Sequence, residues 1–125
     1  MIYLASPYSH DKATVRRQRY HLAQKCVGHL MLRNIPVFSP IVHCHNVAIS
    51  HKLPLDAEYW WNYNRQFLRR SNQLLILAID GWRESAGVKQ EAECASLLGL
   101  STIFVDENGG NLKFLNAVAP SDESN

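Results

Sequence analysis

Ser85, Gly87 and Glu91 follow an apolar run and the glycine turn Asp80-Gly81-Trp82. Ser85 has the character of a helix N-cap, which places all three residues in the cap and first two turns of a helix. Such a terminus offers unpaired N–H groups and a partial positive charge. It holds an anionic ligand group and keeps a nearby carboxylate ionised. Glu91 stands one position ahead of the packing face expected at Val88, Ala92, Ala95 and Gly99, at the edge of any cleft there. A solvated glutamate would fit the same spacing.

Other residues could also contribute chemistry. His43-Cys44-His45 invites a metal reading, but two ligands at i and i+2 need further partners, and none stands at a recognised spacing. No metal site is expected, and these histidines read as a polar cleft wall or as satisfied loop histidines. Asp56 and Glu58 do not share a helix face and suit the start of a helix. Tyr8 follows the first apolar run, and Trp82 lies in the turn beside Ser85. Neither a P-loop nor a dinucleotide fingerprint is present, so no cofactor is expected.

These residues need elements to position them. Ile2-Tyr3-Leu4-Ala5 reads as a short strand, followed by a helix over about 11–33 with Ala23, Cys26, Val27, Leu30 and Met31 on one stripe. A second strand is expected over 35–38, closed by Ser39-Pro40, and the segment 41–55 shows no clean period and reads as a long functional loop. A helix rich in aromatics follows over 56–70. The run 73–79 is apolar enough to be buried on both faces. A further strand is expected at 102–105 and a short helix at 112–118. Alternating strands and helices mean βαβ units with right-handed crossovers. The expected fold is α/β: a three-layer, flavodoxin-like (Rossmann-like) parallel sheet of four to five strands in the order 2-1-3-4, with helices on both faces. Ligands of such sheets bind beyond the carboxyl ends of the strands.

The chain of 125 residues suits a single domain, read as 1–119 with a polar tail at 120–125. A formal net charge of +2 gives no case for duplex nucleic acid. Arg16, Arg17 and Arg19, with Lys12 and Lys25, read as a solvated helix face. Cys26, Cys44 and Cys94 are odd in number and widely spaced, against a disulfide framework. No apolar run approaches the length of a membrane span, and a cytoplasmic location is expected.

Four segments in order carry a family resemblance: Ile2 to Tyr8; Phe38-Ser39-Pro40-Ile41-Val42-His43 with His45; Leu53-Pro54 with Asp56, Glu58 and Trp60; and Gly81-Trp82 with Ser85, Gly87, Val88, Glu91 and Ala95. Together they resemble the nucleoside 2-deoxyribosyltransferase-like superfamily, especially a small bacterial and phage branch catalogued as a domain of unknown function. The resemblance implies cleavage of the N-glycosidic bond of a nucleoside or nucleoside 5′-monophosphate, by hydrolysis or by (deoxy)ribosyl transfer. It implies Glu91 as nucleophile; Asp80, as a candidate acid, and Asn64, at a position matching the family's acid, are the other residues expected in the catalytic set. Ser85 matches the position that holds the sugar or its phosphate, and Ser6, Tyr8, Ser39, His43, His45, Trp82 and Gly87 join it as substrate-binding residues. A phosphate-specific site should add an arginine near Ser6 or Ser85, with Arg16 and Arg83 available.

One departure stands out. Relatives carry an aspartate that helps protonate the leaving base, and the matching positions here are Asn64 and Asn72. Asparagine can hydrogen-bond a base but has no proton to give. The acid must then come from Asp56, Glu58, Asp80, His43 or His45, or the chain is a non-catalytic nucleotide-binding module on the same fold. Relatives complete each site with a neighbouring subunit, so a homodimer or homotetramer is expected. The aromatics between Tyr59 and Phe67 supply apolar surface for it.

Overall fold

A computed structural model describes residues 1–117. It contains β1 (Ile2–Ala5), α1 (Ala13–Leu32), β2 (Val37–Phe38), α2 (Pro40–Ser50), α3 (Ala57–Leu68), β3 (Gln73–Leu77), α4 (Ala86–Leu97), β4 (Ser101–Val105) and α5 (Lys113–Ala117). The four strands pair in parallel in the order β2-β1-β3-β4, and the expected α/β architecture holds. The domain end at residue 119, the polar tail and Val118 lie outside the described residues.

Strand alternation assigns each side chain to a layer. Leu4, Leu75 and Leu77 pack against Ala23, Cys26, Val27 and Leu30 of α1. Tyr3, Ala5, Leu74 and Ile76 face the other way, onto Leu68 of α3 and Val88 and Ala95 of α4. Both faces of β1 and β3 are thus covered, as the unbroken apolar run of β3 requires. Burying a leucine such as Leu74 or Leu77 in full contributes about 2 kcal/mol each.

Helix ends are locally encoded. α1 and α4 both close in Schellman motifs. In α1, Asn34 takes φ 58°, its N–H meets Met31 O, and Ile35 N–H meets Leu30 O. In α4, Gly99 (φ 76°) and Leu100 repeat the pattern onto Ser96 and Ala95. Gly99 is therefore an exposed stop signal and not, as expected, part of the packing face.

The segment expected to be a loop is largely α2. Ser39 is its N-cap, accepting the Val42 N–H at 3.2 Å, and Pro40 occupies its first turn. Proline is pre-organised there because the missing N–H has no helical partner to lose. Ser39-Pro40 ends the strand, as expected, and in the same step starts a helix. Among the described residues, no helix is long and apolar enough to cross a membrane.

Candidate active site

The carboxyl ends of β1 and β3 and the N-terminus of α4 enclose a cleft of about 490 Å³, into which Ser6, Asn64, Ser85, Gly87 and Glu91 project. Glu91 is the sixth residue of α4, past the unpaired N–H groups of the first turn. It is not kept ionised by the helix terminus, as expected, nor does it sit at the cleft's rim. It is buried. Tyr3, on the same sheet face, donates its hydroxyl to Glu91 Oε2 at 2.5 Å.

Burial dominates the electrostatics of this pair. It pushes the Glu91 carboxyl up to about 7, with the Tyr3 hydrogen bond pulling part of the way back. It also pushes the Tyr3 phenol well up, with the Glu91 charge adding to the effect. Near neutral pH the cleft therefore holds a carboxyl poised between its two forms. Two polar atoms beside it, Ser6 Oγ and Asn64 Oδ1, are buried without a hydrogen-bond partner among the described residues. Orphaned buried polar atoms are uncommon in folded proteins, and both line the cleft.

Sequence reasoning missed the cation of this site. Arg19, taken as part of a solvated face, is half-buried and reaches across from α1. Its Nη1 donates to Ser9 O at 2.8 Å, and its guanidinium packs on Gly81 where a Cβ would collide with it. Gly81 sits at φ 95°, a conformation that favours glycine. The cleft thus collects a guanidinium, the capped N-terminus of α4 and Ser6, all suited to an anion. Arg16 instead bonds the carbonyls of His10 and Asp11, and Arg83 lies over the Trp82 ring.

A second cavity of about 310 Å³ adjoins the first, sharing Tyr8, Pro40, Ile41 and Asn64 with it. Its wall is α2: Ile41, Cys44, His45, Ala48 and Ile49. These positions fall at i, i+3, i+4, i+7 and i+8, a helical stripe facing a cavity instead of the core. Trp60 and Leu55 close the opposite side. Tyr8 and His45 meet at the junction, with Tyr8 Oη and His45 Nδ1 at 2.8 Å. The His45 ring also packs at a tilt against Tyr20, centroids 4.6 Å apart.

The remaining expected site residues lie elsewhere. Ser39 is fully buried, with its hydroxyl committed to capping α2. His43 is exposed, its Nδ1 within 2.9 Å of Ser39 O and its ring stacked on Phe38. Asp80 and Trp82 line a different pocket, which meets the cleft at Gly81 and Glu84, and Trp82 packs on Phe104. Asp56 caps α3 through Tyr59 N at 3.0 Å, and Glu58 is exposed in its first turn. No group of three or more His, Cys, Asp or Glu side chains able to hold a metal ion occurs among the described residues.

A family model described as a domain of unknown function, DUF1937, matches residues 1–107. No curated protein matches the chain.

Proposed function

We propose that this chain, which belongs to the DUF1937 family, cleaves the N-glycosidic bond of a nucleoside 5′-monophosphate, with Glu91 as nucleophile. The observation that carries the reading is the buried Glu91 carboxyl, held by Tyr3 in a cleft with two unpartnered polar atoms. The resemblance to the nucleoside 2-deoxyribosyltransferase-like superfamily supports the same role.

Ionised Glu91 attacks the anomeric carbon as the C–N bond breaks and the electron pair leaves with the base. The transition state is oxocarbenium-like, and an adjacent carboxylate stabilises it before bonding covalently. Water or a second base then displaces the glutamate. Tyr3 fixes the carboxyl oxygen it holds and leaves the other to react. Arg19 and the α4 N-terminus favour a phosphate-bearing substrate over a bare nucleoside, and the apolar second cavity suits a flat base.

The test is direct. Purified protein is incubated with a panel of nucleosides and their 5′-monophosphates, with and without a free acceptor base, and released or exchanged base is separated by chromatography. Base release from a monophosphate supports the reading. Binding without release supports a nucleotide-binding module, a second reading favoured by one observation: Asn64, lining the cleft, has no proton to give.

A further inference from the structure

Of the five candidate proton donors to the leaving base, only His45 lines either the cleft that holds Glu91 or the cavity adjoining it, and it lines the latter. Asp56 is used as a cap, Glu58 is exposed, Asp80 faces another pocket and His43 is engaged with Ser39. His45 is joined to Tyr8, a hydroxyl that lines both cavities. That junction is where the bond between an anion-anchored sugar and a base in the apolar cavity would lie.

We propose that Tyr8 is the proton donor to the leaving base, with His45 as its positioning residue; this rests on the glycosidase reading above. In the required tautomer, His45 Nδ1–H donates to the Tyr8 oxygen and leaves the Tyr8 O–H directed at the base. As the C–N bond breaks, its electron pair goes to the base nitrogen, which takes the Tyr8 proton. Glu91 forms the new bond to the anomeric carbon, and the His45 N–H stabilises the Tyr8 phenolate. In the second half, water attacks the anomeric carbon, its proton returns to Tyr8, and Glu91 leaves as carboxylate. Atoms and charge balance over the cycle, and no other reactant is needed.

The electrostatic setting agrees. Burial raises the Tyr8 phenol above its ordinary range, with Arg16 opposing. The hydroxyl is thus protonated before reaction, and its phenolate is a competent base afterwards. Burial, then the charge of His21, lowers His45, so the imidazole is neutral, with one N–H to donate.

The experiment compares two leaving groups. One substrate is the natural 5′-monophosphate cleaved fastest in the panel. The other is the matching 4-nitrophenyl glycoside 5-phosphate, whose leaving group departs as a phenolate without a proton. Tyr8→Phe is expected to lower kcat on the nucleotide by roughly a hundredfold or more, as loss of a general acid does. On the nitrophenyl substrate its kcat should stay within about fivefold of wild type, and KM should change little on either. His45→Ala should show the same selectivity, partly rescued by His45→Gln, whose amide N–H can still reach Tyr8; these variants carry the comparison if Tyr8→Phe does not fold. Equal losses on both substrates, or none on the nucleotide, would overturn the relay and leave the glycosidase reading standing. A wild type that cleaves neither substrate would overturn both.

Discussion

Replacing Glu91 with glutamine separates the work of the carboxyl from its burden on the fold. In the unfolded chain Glu91 ionises near its ordinary 4.5, and in the folded protein near 7. Below 4.5 both states are neutral, and the carboxyl carries no ionisation penalty. Between 4.5 and 7 the unfolded chain sheds its proton while the folded protein keeps it, so stability falls as pH rises. Above 7 both are ionised, and the penalty levels off at about 3 kcal/mol. Glutamine keeps the size of the side chain and the oxygen that accepts from Tyr3, but it never ionises. Glu91→Gln should therefore be more stable than wild type by about 3 kcal/mol at pH 8. At pH 4 the two should be nearly equal. Urea denaturation at the two pH values measures this directly, and thermal melting should show a gain on the order of 10 °C at pH 8. The same variant should lose roughly a thousandfold or more in turnover if Glu91 is the covalent nucleophile proposed above. Glu93→Gln, about 200° further round the helix and exposed, should change neither. Equal midpoints for wild type and Glu91→Gln at pH 8, or an advantage as large at pH 4, would refute the claim that desolvation of this carboxyl dominates. A Glu91→Gln enzyme retaining more than about a tenth of wild-type turnover would remove Glu91 from the nucleophile's role.

Further outcomes are expected. Arg19→Gln should weaken binding of a 5′-monophosphate tenfold or more while leaving the parent nucleoside's affinity unchanged, as read by calorimetry; equal losses would take the phosphate away from Arg19. Gly81→Ala should destabilise the fold by about 1–3 kcal/mol in thermal melts, since the new methyl meets both a left-handed backbone and the guanidinium. Tyr3→Phe removes the hydrogen bond that favours ionised Glu91, so the rise of kcat/KM with pH, expected near 7, should move to higher pH; an unmoved profile would count against the pairing. Light scattering at micromolar concentration should give a dimer or tetramer, with Tyr59 and Tyr63, now 37% and 44% exposed, shielded by the partner; a monomer would contradict this.

How legible the molecule was in its sequence depended on the range of the interactions involved. β3 could be read because its neighbours on both faces leave a local mark, an unbroken apolar run. Ser85 was equally readable, since a cap needs only its own next turn. α2 was not, although its stripe from Ile41 to Ile49 is regular: that stripe lines a cavity and includes His45, so it lacks the apolar contrast of a core-facing helix. Arg19 could not have been singled out. Nothing local distinguishes it from Arg16 and Arg17, and its place is set by Gly81, far along the chain. The Tyr3–Glu91 bond spans 88 positions, and only the alternation of β1 and the phase of α4 bring its two ends to one sheet face. The raised Glu91 carboxyl was hidden for the same reason, because desolvation is a property of the assembled layers.

The parallel sheet has one further consequence, for change over time. Several cleft residues, Ser6, Tyr8, Ser9, Gly81 and Ser85 among them, stand on connections beyond the carboxyl ends of the strands, while the turns at 33–36, 69–72 and 98–100 close the opposite end. Those turns are held by backbone bonds such as Ile35 N–H to Leu30 O and Leu100 N–H to Ala95 O, which, apart from the left-handed positions Asn34 and Gly99, accept almost any side chain. One end of the molecule is thus open to drift and to insertion without touching ligand recognition. The other can exchange its substrate by altering loop residues while the strands beneath stay fixed. Arg19, like Asn64 and Glu91, sits on a helix of the scaffold; unlike Glu91 it is not buried in the core, and on the reading proposed above a lineage that gave up its anion could replace it at little cost to the core.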